Sequence, residues 1–226
     1  MEPAKALHRD TAYRQVLDLI VSGAVDRHSP LSERGLADSL GLSRTPVREA
    51  LRELARDGLL EAVPARGTFV RVLMLDDLRE LYEVRYGLEG VGATLAASYG
   101  PSEDLLAYAP VFRRLLETDA DPAEAYDVGA RFHLTVMACA RNRLLLDIYE
   151  PMRLRAQLAL GLPRTYDHAR VRESVSEHLA ILEAVEARDG ERAQSLIIEH
   201  LARGLDARLK IFSRFKACAA TGEKPA

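Results

Sequence analysis

Three of the six histidines lie on the apolar faces of predicted helices, where a polar side chain is unusual. His178 and His200 are also placed symmetrically about a predicted turn at Asp189-Gly190, eleven residues before it and ten residues after it. In an antiparallel helix pair both would lie about 16 Å from the turn and would face each other. The apolar residues on these faces are Phe132, Val136, Met137 and Ala140 for His133, Val175, Ile181, Leu182 and Val185 for His178, and Ile197, Leu201 and Leu205 for His200.

Imidazole is the commonest side-chain ligand of transition metals, so these histidines are candidate metal ligands. A lone histidine on an apolar face is more often a hydrogen-bonded core residue, and that interpretation stays open here. Two histidines at matched height, with His133 as a third candidate from another helix, favour a shared site. Three neutral imidazoles suit Zn²⁺ or Ni²⁺ better than Mg²⁺ or Ca²⁺, which prefer oxygen ligands.

A charged pair, Arg85 and Glu89, lies on the inner line of the first long predicted helix, residues 76–98. Buried charges need partners, so the two either pair with each other at i, i+4 or contact a ligand. An arginine directed into a helical bundle would hold a carboxylate through two parallel hydrogen bonds. The sequence therefore leaves two interpretations of Arg85 open, an ion pair with Glu89 and a binding residue for a small carboxylate.

Arginines recur every four residues on the predicted helix 43–57, at Arg44, Arg48 and Arg52. Pro46 falls in the first turn, where its missing N–H costs nothing. A short predicted helix, residues 32–39, precedes this one across a tight link, which is the spacing of a helix-turn-helix. In a helix-turn-helix, the second helix places its N-terminal side chains in the DNA major groove, where arginine matches the acceptor pair of guanine. A solvated helix face is the alternative. The buried stripe of the helix is Val47, Ala50, Leu51 and Leu54.

The elements that position these residues fall into two regions. Residues 1–74 hold three predicted helices and a hairpin with its tip at "PARG", which together predict a winged helix-turn-helix DNA-binding domain. Residues 75–217 hold only long amphipathic helical patterns, and they predict an all-α helical bundle. Residues 218–226 are predicted to be a disordered tail. The fold class is therefore mainly α, with a DNA-binding domain followed by a helical bundle.

Composition sets the class of protein without naming its function. The 226 residues carry a net charge of −3, which excludes a generally polycationic protein but permits a small basic face. No apolar run reaches the roughly 18–20 residues that span a bilayer, and the N-terminus lacks a signal-peptide core. The two cysteines have no paired spacing. We expect a cytoplasmic protein that does not enter membranes.

The string "SRTPVREAL", followed by "DGLL" and "RGTFV", resembles the winged helix-turn-helix of the GntR family of transcription regulators. One departure is Arg27-His28, where this family usually carries Pro-Gly. The resemblance implies binding to a near-palindromic double-stranded DNA operator by a homodimer. The DNA-binding residues that it implies are Arg34, Ser43, Arg44, Thr45, Arg48, Arg66 and Gly67.

The second region resembles the FCD effector domain of the FadR subfamily, in "DDLRELYEVRYGLEGVGATLAA", "RFHLTVMACARNRLLLDIYE" and "SEHLAILEAVEARDGERAQSLIIEHL". Many such domains bind a divalent metal through one aspartate and three histidines, and a small organic acid completes the coordination. The resemblance implies that residues 75–217 form an effector-binding and dimerisation domain. It also implies that the metal ligands are His133, His178 and His200, and that Arg85 binds the effector.

The aspartate does not carry over, because Gly129 stands four residues before His133. The nearest acid, Asp127, lies six residues before His133 and points well away from it on a helix. Without an anionic ligand, the expectation is weaker metal binding that Gly129→Asp would strengthen.

The leading hypothesis is a ligand-responsive transcription regulator that is not an enzyme. A metalloenzyme using the three histidines is the alternative, but no HExxH motif or neighbouring general base accompanies them. A DNA-binding architectural protein is the third possibility, but it gives no reason for Arg85 and three histidines to face inward.

Overall fold

Helices account for most of this computed structural model, which describes residues 3–26, 29–71, 74–118, 121–158 and 168–221. Predicted site residues all lie within these ranges, whereas Arg27-His28 lies outside them. The elements are α1 (Pro3–Val21), α2 (Glu33–Leu40), α3 (Arg44–Arg56), β1 (Leu60–Val63), β2 (Gly67–Val70), α4 (Leu75–Tyr99), α5 (Glu103–Leu106), α6 (Tyr108–Glu117), α7 (Pro122–Cys139), α8 (Arg143–Leu158), α9 (His168–Glu186) and α10 (Gly190–Thr221). The mainly α fold class is confirmed.

The chain divides into two compact units. One comprises Met1–Met74 with Pro151–Gly161, and the other comprises Leu75–Glu150 with Leu162–Ala226. The predicted ranges, 1–74 and 75–217, assigned the segment from Pro151 to the helical bundle. Within the first unit, Leu154 packs against the apolar core, and the Nε of Arg155 donates to the carbonyl oxygen of Asp57. Helical periodicity cannot reveal such docking, because it reports only which face of a helix is buried.

The first unit contains the predicted helix-turn-helix. Ser32 caps α2, since its Oγ accepts a hydrogen bond from the amide of Gly35 at 3.1 Å. Gly41 ends α2 in the left-handed conformation, with φ of 64°, which glycine adopts without a steric penalty. Ser43 occupies the N-cap position of α3, but its side chain makes no capping hydrogen bond. Burial of the predicted stripe holds α3 in the unit, because Val47, Ala50, Leu51 and Leu54 are all buried.

The second unit is a helical bundle in which α10 packs along α4 and α9, and α7 packs between α4 and α9. Its core includes Phe112, Phe132, Ile181 and Ile197, which are fully buried. The predicted helix over 102–117 is divided into α5 and α6 around Ala107. Helix α10 continues to Thr221, into the segment predicted as a tail, and residues 222–226 lie outside the described residues.

Candidate functional site

The seven predicted DNA-binding residues are all exposed on the first unit. Arg44 and Arg48, on the first two turns of α3, expose 63% and 47% of their side chains. The carboxylate of Glu33, on α2, accepts hydrogen bonds from Arg48 Nε at 3.1 and 3.3 Å and lies 3.6 Å from the Nη2 of Arg44. Arg34 pairs with Asp38 at 3.7 Å. Glu33 was not predicted from the sequence, and it links two of the arginines that face solvent.

The hairpin positions Arg66 and Gly67 at its tip. Strands β1 and β2 are antiparallel, and Val63 pairs with Gly67, so residues 64–66 form the loop. Gly67 has φ of +115°, and a Cβ at this position would lie 2.9 Å from the Cβ of Pro30. Glycine is therefore required here both by the backbone and by the available space. The guanidinium of Arg66 lies 5.7 Å from the ring centre of Phe69.

The three histidines converge inside the second unit, from α7, α9 and α10. His133 Nε2 lies 3.1 Å from His200 Nε2 and 3.2 Å from His178 Nε2, and the last two atoms are 3.1 Å apart. His133, His178 and His200 are buried, with 6%, 4% and 7% of their surfaces exposed. The predicted meeting of His178 and His200 is confirmed, and His133 completes the triangle.

Two carboxylates bind the far nitrogens of this cluster. Glu89 Oε2 lies 2.5 Å from His133 Nδ1, and Glu177 Oε2 lies 2.7 Å from His200 Nδ1. Because an ionised carboxylate only accepts hydrogen bonds, each Nδ1 carries the proton and each Nε2 presents a lone pair. The Nε2 lone pairs of His133 and His200 thus point into the centre of the cluster.

Glu89 connects the cluster to Arg85, whose Nε donates to Glu89 Oε1 at 2.7 Å. The i, i+4 pair proposed from the sequence is therefore present. The Arg85 guanidinium also lies 4.7 Å from the ring centre of Tyr82. Glu89 is fully buried, and burial alone would raise its pKa. The charge of Arg85 and the hydrogen bonds from His133 and Arg85 outweigh burial and hold the pKa of Glu89 at about 2.

Glu177, on α9, has the same function for His200 but was not predicted from the sequence. It also accepts hydrogen bonds from Arg170 at 2.9 and 3.0 Å and from Arg203 at 3.0 Å. Burial would raise the pKa of Glu177, but hydrogen bonds from His200 and Arg170 bring it to about 2. Its position beside His178 in the sequence gives no signal of this role, because its partner His200 lies on α10.

His178 differs from the other two histidines in its surroundings. Its ring stacks on Phe112, with 5.4 Å between ring centres, and packs against Phe132 at 5.2 Å. Its Nδ1 is buried and has no hydrogen-bond partner among the described residues. Burial, together with the neighbouring histidines, lowers the pKa of His178 well below its usual range. Burial is also the main reason that the pKa of His200 is lowered to about 4. Both rings are therefore neutral at pH 7.

The donor set fits a divalent transition metal. Three nitrogens bonded to one ion at about 2.0–2.1 Å would be about 2.9–3.4 Å apart for angles between octahedral and tetrahedral, and the observed separations are 3.1–3.2 Å. If His178 carried a proton on Nε2, that proton could form a good hydrogen bond to only one of the Nε2 lone pairs of His133 and His200. A metal cation at the centre would be bonded by all three nitrogens. Gly129 is buried beside the cluster, and Asp127 is exposed and is not part of this group.

Comparisons with known proteins match both regions of the chain to known families. The FCD domain model matches residues 80–203, and the model of bacterial regulatory proteins of the gntR family matches residues 8–70. The "Probable D-xylose utilization operon transcriptional repressor" of Paenarthrobacter nicotinovorans is 33% identical over 214 residues, covering 90% of this chain and 92% of the relative. The regulator McbR of Escherichia coli (strain K12) is 28% identical over 182 residues, covering 78% and 81%.

A solved structure of Escherichia coli McbR/YncC has the same fold, with a TM-score of 0.70, 24% identity and coverage of 88% of this chain and 95% of that chain. Within the part of the chain that the structure describes, no helix is both long enough and apolar enough to cross a bilayer. The family and the relatives are transcription regulators, so the metalloenzyme alternative is not supported. The chain belongs to the GntR family of bacterial transcription regulators, and its second domain is the FCD effector domain found in the FadR subfamily.

Proposed function

We propose that this regulator binds a near-palindromic operator as a homodimer and senses a small carboxylate effector at a divalent metal held by His133, His178 and His200. The observation that carries this proposal is the convergence of three Nε2 atoms at 3.1–3.2 Å, with two of the rings oriented by the carboxylates of Glu89 and Glu177. Zn²⁺ and Ni²⁺ suit the three imidazoles best. A metal ion there would supply a cation for the effector carboxylate, because three protein ligands leave coordination positions open.

The DNA-binding half of the proposal rests on exposure and charge. Arg44 and Arg48 project from the first turns of α3, which is the part of a helix-turn-helix that enters the major groove. Each would read guanine through its O6 and N7 acceptors. Ser43, Thr45 and Arg34 would contact phosphates near α3, and Arg66 with Gly67 would contact the DNA backbone from the wing.

Dimerisation is supported by an apolar stripe on the outer face of α4. Val84 and Val91 are 52% and 48% exposed, and Leu88 and Leu95 are half-buried beside them. Their alternating spacing of four and three residues is that of a helix-pairing seam. A second copy of the chain is the fitting partner, because a near-palindromic operator is read by two heads related by a two-fold axis.

The class of effector follows from the groups around the histidines. Arg85 belongs to the hydrogen-bonded series Arg85–Glu89–His133, and its side chain retains 11% exposure. Its remaining N–H groups suit a carboxylate. The relative that is named for D-xylose utilization takes its name from a sugar, which is not a carboxylate. The proposed effector class therefore rests on the residues of this chain and not on that relative.

Metal analysis and thermal-shift screening test the proposal. Protein purified without chelator should contain about one Zn²⁺ or Ni²⁺ per chain, and His178→Ala should lose it. Organic acids should raise the melting temperature of the metal-loaded parent, because a ligand bound only to the folded state stabilises it. Arg85→Lys keeps the charge beside Glu89 but loses the planar fork, so the acid-dependent shift should shrink. Metal content that survives His178→Ala, or an undiminished acid response in Arg85→Lys, would contradict the proposed site.

A further inference from the structure

Gly129 is the residue that most sharply distinguishes this site from one with an aspartate ligand. It lies one helical turn before His133 on α7 and is buried. A Cβ built on Gly129 would lie 2.6 Å from Cε1, 3.3 Å from Nδ1 and 3.5 Å from Nε2 of His178. The space in which any side chain at position 129 would begin is therefore already filled by the His178 imidazole.

The His178 ring has little freedom to move aside. It is 4% exposed, and it contacts Phe112 and Phe132 at ring-centre distances of 5.4 and 5.2 Å. Its Nε2 is fixed opposite the other two histidines. Interiors are packed at nearly crystalline density, so an added methyl group at position 129 would displace this ring.

Two carboxylates orient the imidazoles of His133 and His200 in this chain. Glu89 and Glu177 reach the cluster from behind, through the Nδ1 atoms of His133 and His200. Both carboxylates are further held by arginines, Arg85 for Glu89 and Arg170 with Arg203 for Glu177. Such hydrogen-bonded carboxylates orient the imidazoles and raise their basicity without contacting the ion themselves.

We infer that Gly129 determines the ligand set of this site: its missing side chain leaves room for His178, and the metal is held by three imidazoles, two of which Glu89 and Glu177 orient. The inference rests on the metal site proposed above. It reverses the expectation from the sequence, because Gly129→Asp then brings a carboxylate at the cost of displacing a ligand. The remaining coordination positions belong to the effector.

The test is a metal titration of full-length, chelator-stripped protein with Zn²⁺ and Ni²⁺, in competition with a chromophoric chelator. Gly129→Ala and Gly129→Asp should each bind about tenfold more weakly than the parent, or worse. Gly204→Ala is the matched control, since Gly204 lies four residues after His200 and a Cβ there meets nothing closer than 3.7 Å. It should keep the affinity of the parent. Tighter binding by Gly129→Asp than by the parent, or unchanged binding by Gly129→Ala, would overturn the inference.

A stability measurement without metal separates this inference from the proposed function. In chelator, Gly129→Ala should lower the melting temperature, and it should cause no such loss in a His178→Ala background, because the colliding ring is gone. The double variant also covers the case in which Gly129→Ala alone fails to fold. A parent that binds neither metal would refute the proposed metal site. An equal loss of melting temperature in both backgrounds would refute the role of Gly129, whatever the metal result.

Discussion

Polar side chains lie in opposite surroundings in two regions of this protein. One region is the face of α3 with Arg44 and Arg48, and the other is the histidine cluster. Arg44 and Arg48 are largely exposed, and their contacts with Glu33 are solvent-exposed ion pairs. Glu89 and the three histidines are buried, and Glu89 contacts both Arg85 and His133. A residue of the first kind is free to act on an external partner with little effect on folding. A residue of the second kind contributes to binding and to stability together.

Glu89→Gln should produce the largest effect, because it leaves Arg85 buried beside a neutral partner. Breaking a buried ion pair in this way costs about 3–5 kcal/mol. Urea unfolding in chelator measures the loss. Glu124→Gln provides the control, since its pair with Arg114 is about half exposed, at 45% and 52%. The control should lose no more than about 1 kcal/mol. Equal losses in the two variants would remove the distinction between buried and exposed pairs.

Acid should destabilise the second unit through its neutral histidines. The pKa of His200 is about 4 in the folded protein, against an ordinary value of 6.5, so the unfolded chain binds the proton more tightly. Stability is therefore lost as the pH falls from about 6.5 towards 4, by about 2 kcal/mol for His200 between pH 7 and pH 5. His178 acts in the same direction, because its pKa is also lowered. Urea unfolding of metal-free protein at pH 7 and 5 measures this change, and equal stability at both values would contradict it.

Arg44→Ala should affect DNA binding and leave folding unchanged. The loss should be about 1–3 kcal/mol for each base contact, with relaxed specificity at that base. Arg56→Ala is the control, because Arg56 is exposed on the last turn of the same helix. Fluorescence anisotropy with a selected operator measures affinity, and thermal melting checks the fold. Parental affinity in Arg44→Ala would show that the DNA-reading surface is assigned wrongly.

Glu33→Gln should have the smallest effect, and in the opposite direction. Glu33 holds Arg48 and lies near Arg44, and its negative charge would repel the phosphates of an operator bound by these arginines. Its removal should tighten operator binding by about two- to fivefold, most clearly at low salt. Glu61→Gln, an exposed carboxylate on β1, should change nothing. Weaker operator binding by Glu33→Gln would mean that Glu33 positions the two arginines for DNA and does not compete with DNA for them.

The same contrast explains what could be predicted from the sequence. The proposed DNA-reading surface is local, since the spacing of Val47, Leu51 and Arg48 fixes both faces of α3 within a few turns. The meeting of His178 and His200 also followed from counting residues to a single turn. Those two regularities needed no knowledge of tertiary packing.

The residues that were missed all depend on contacts between distant elements. Glu177 meets His200 across two helices, and Glu33 meets Arg48 across the turn. The close approach of the His178 ring to Gly129 joins α9 to α7. No periodic pattern along one helix contains that information, and the expectation for Gly129→Asp changed once the packing was known.

The most direct test of the account measures operator affinity by anisotropy in chelator, with Zn²⁺ alone, and with Zn²⁺ plus a stabilising acid. The parent should change its affinity by about fivefold or more when metal and acid are both present. His178→Ala should show no change, whereas His168→Ala, an exposed histidine on the same helix, should respond as the parent does. An identical response in His178→Ala and the parent would contradict the claim that the histidine cluster senses the effector.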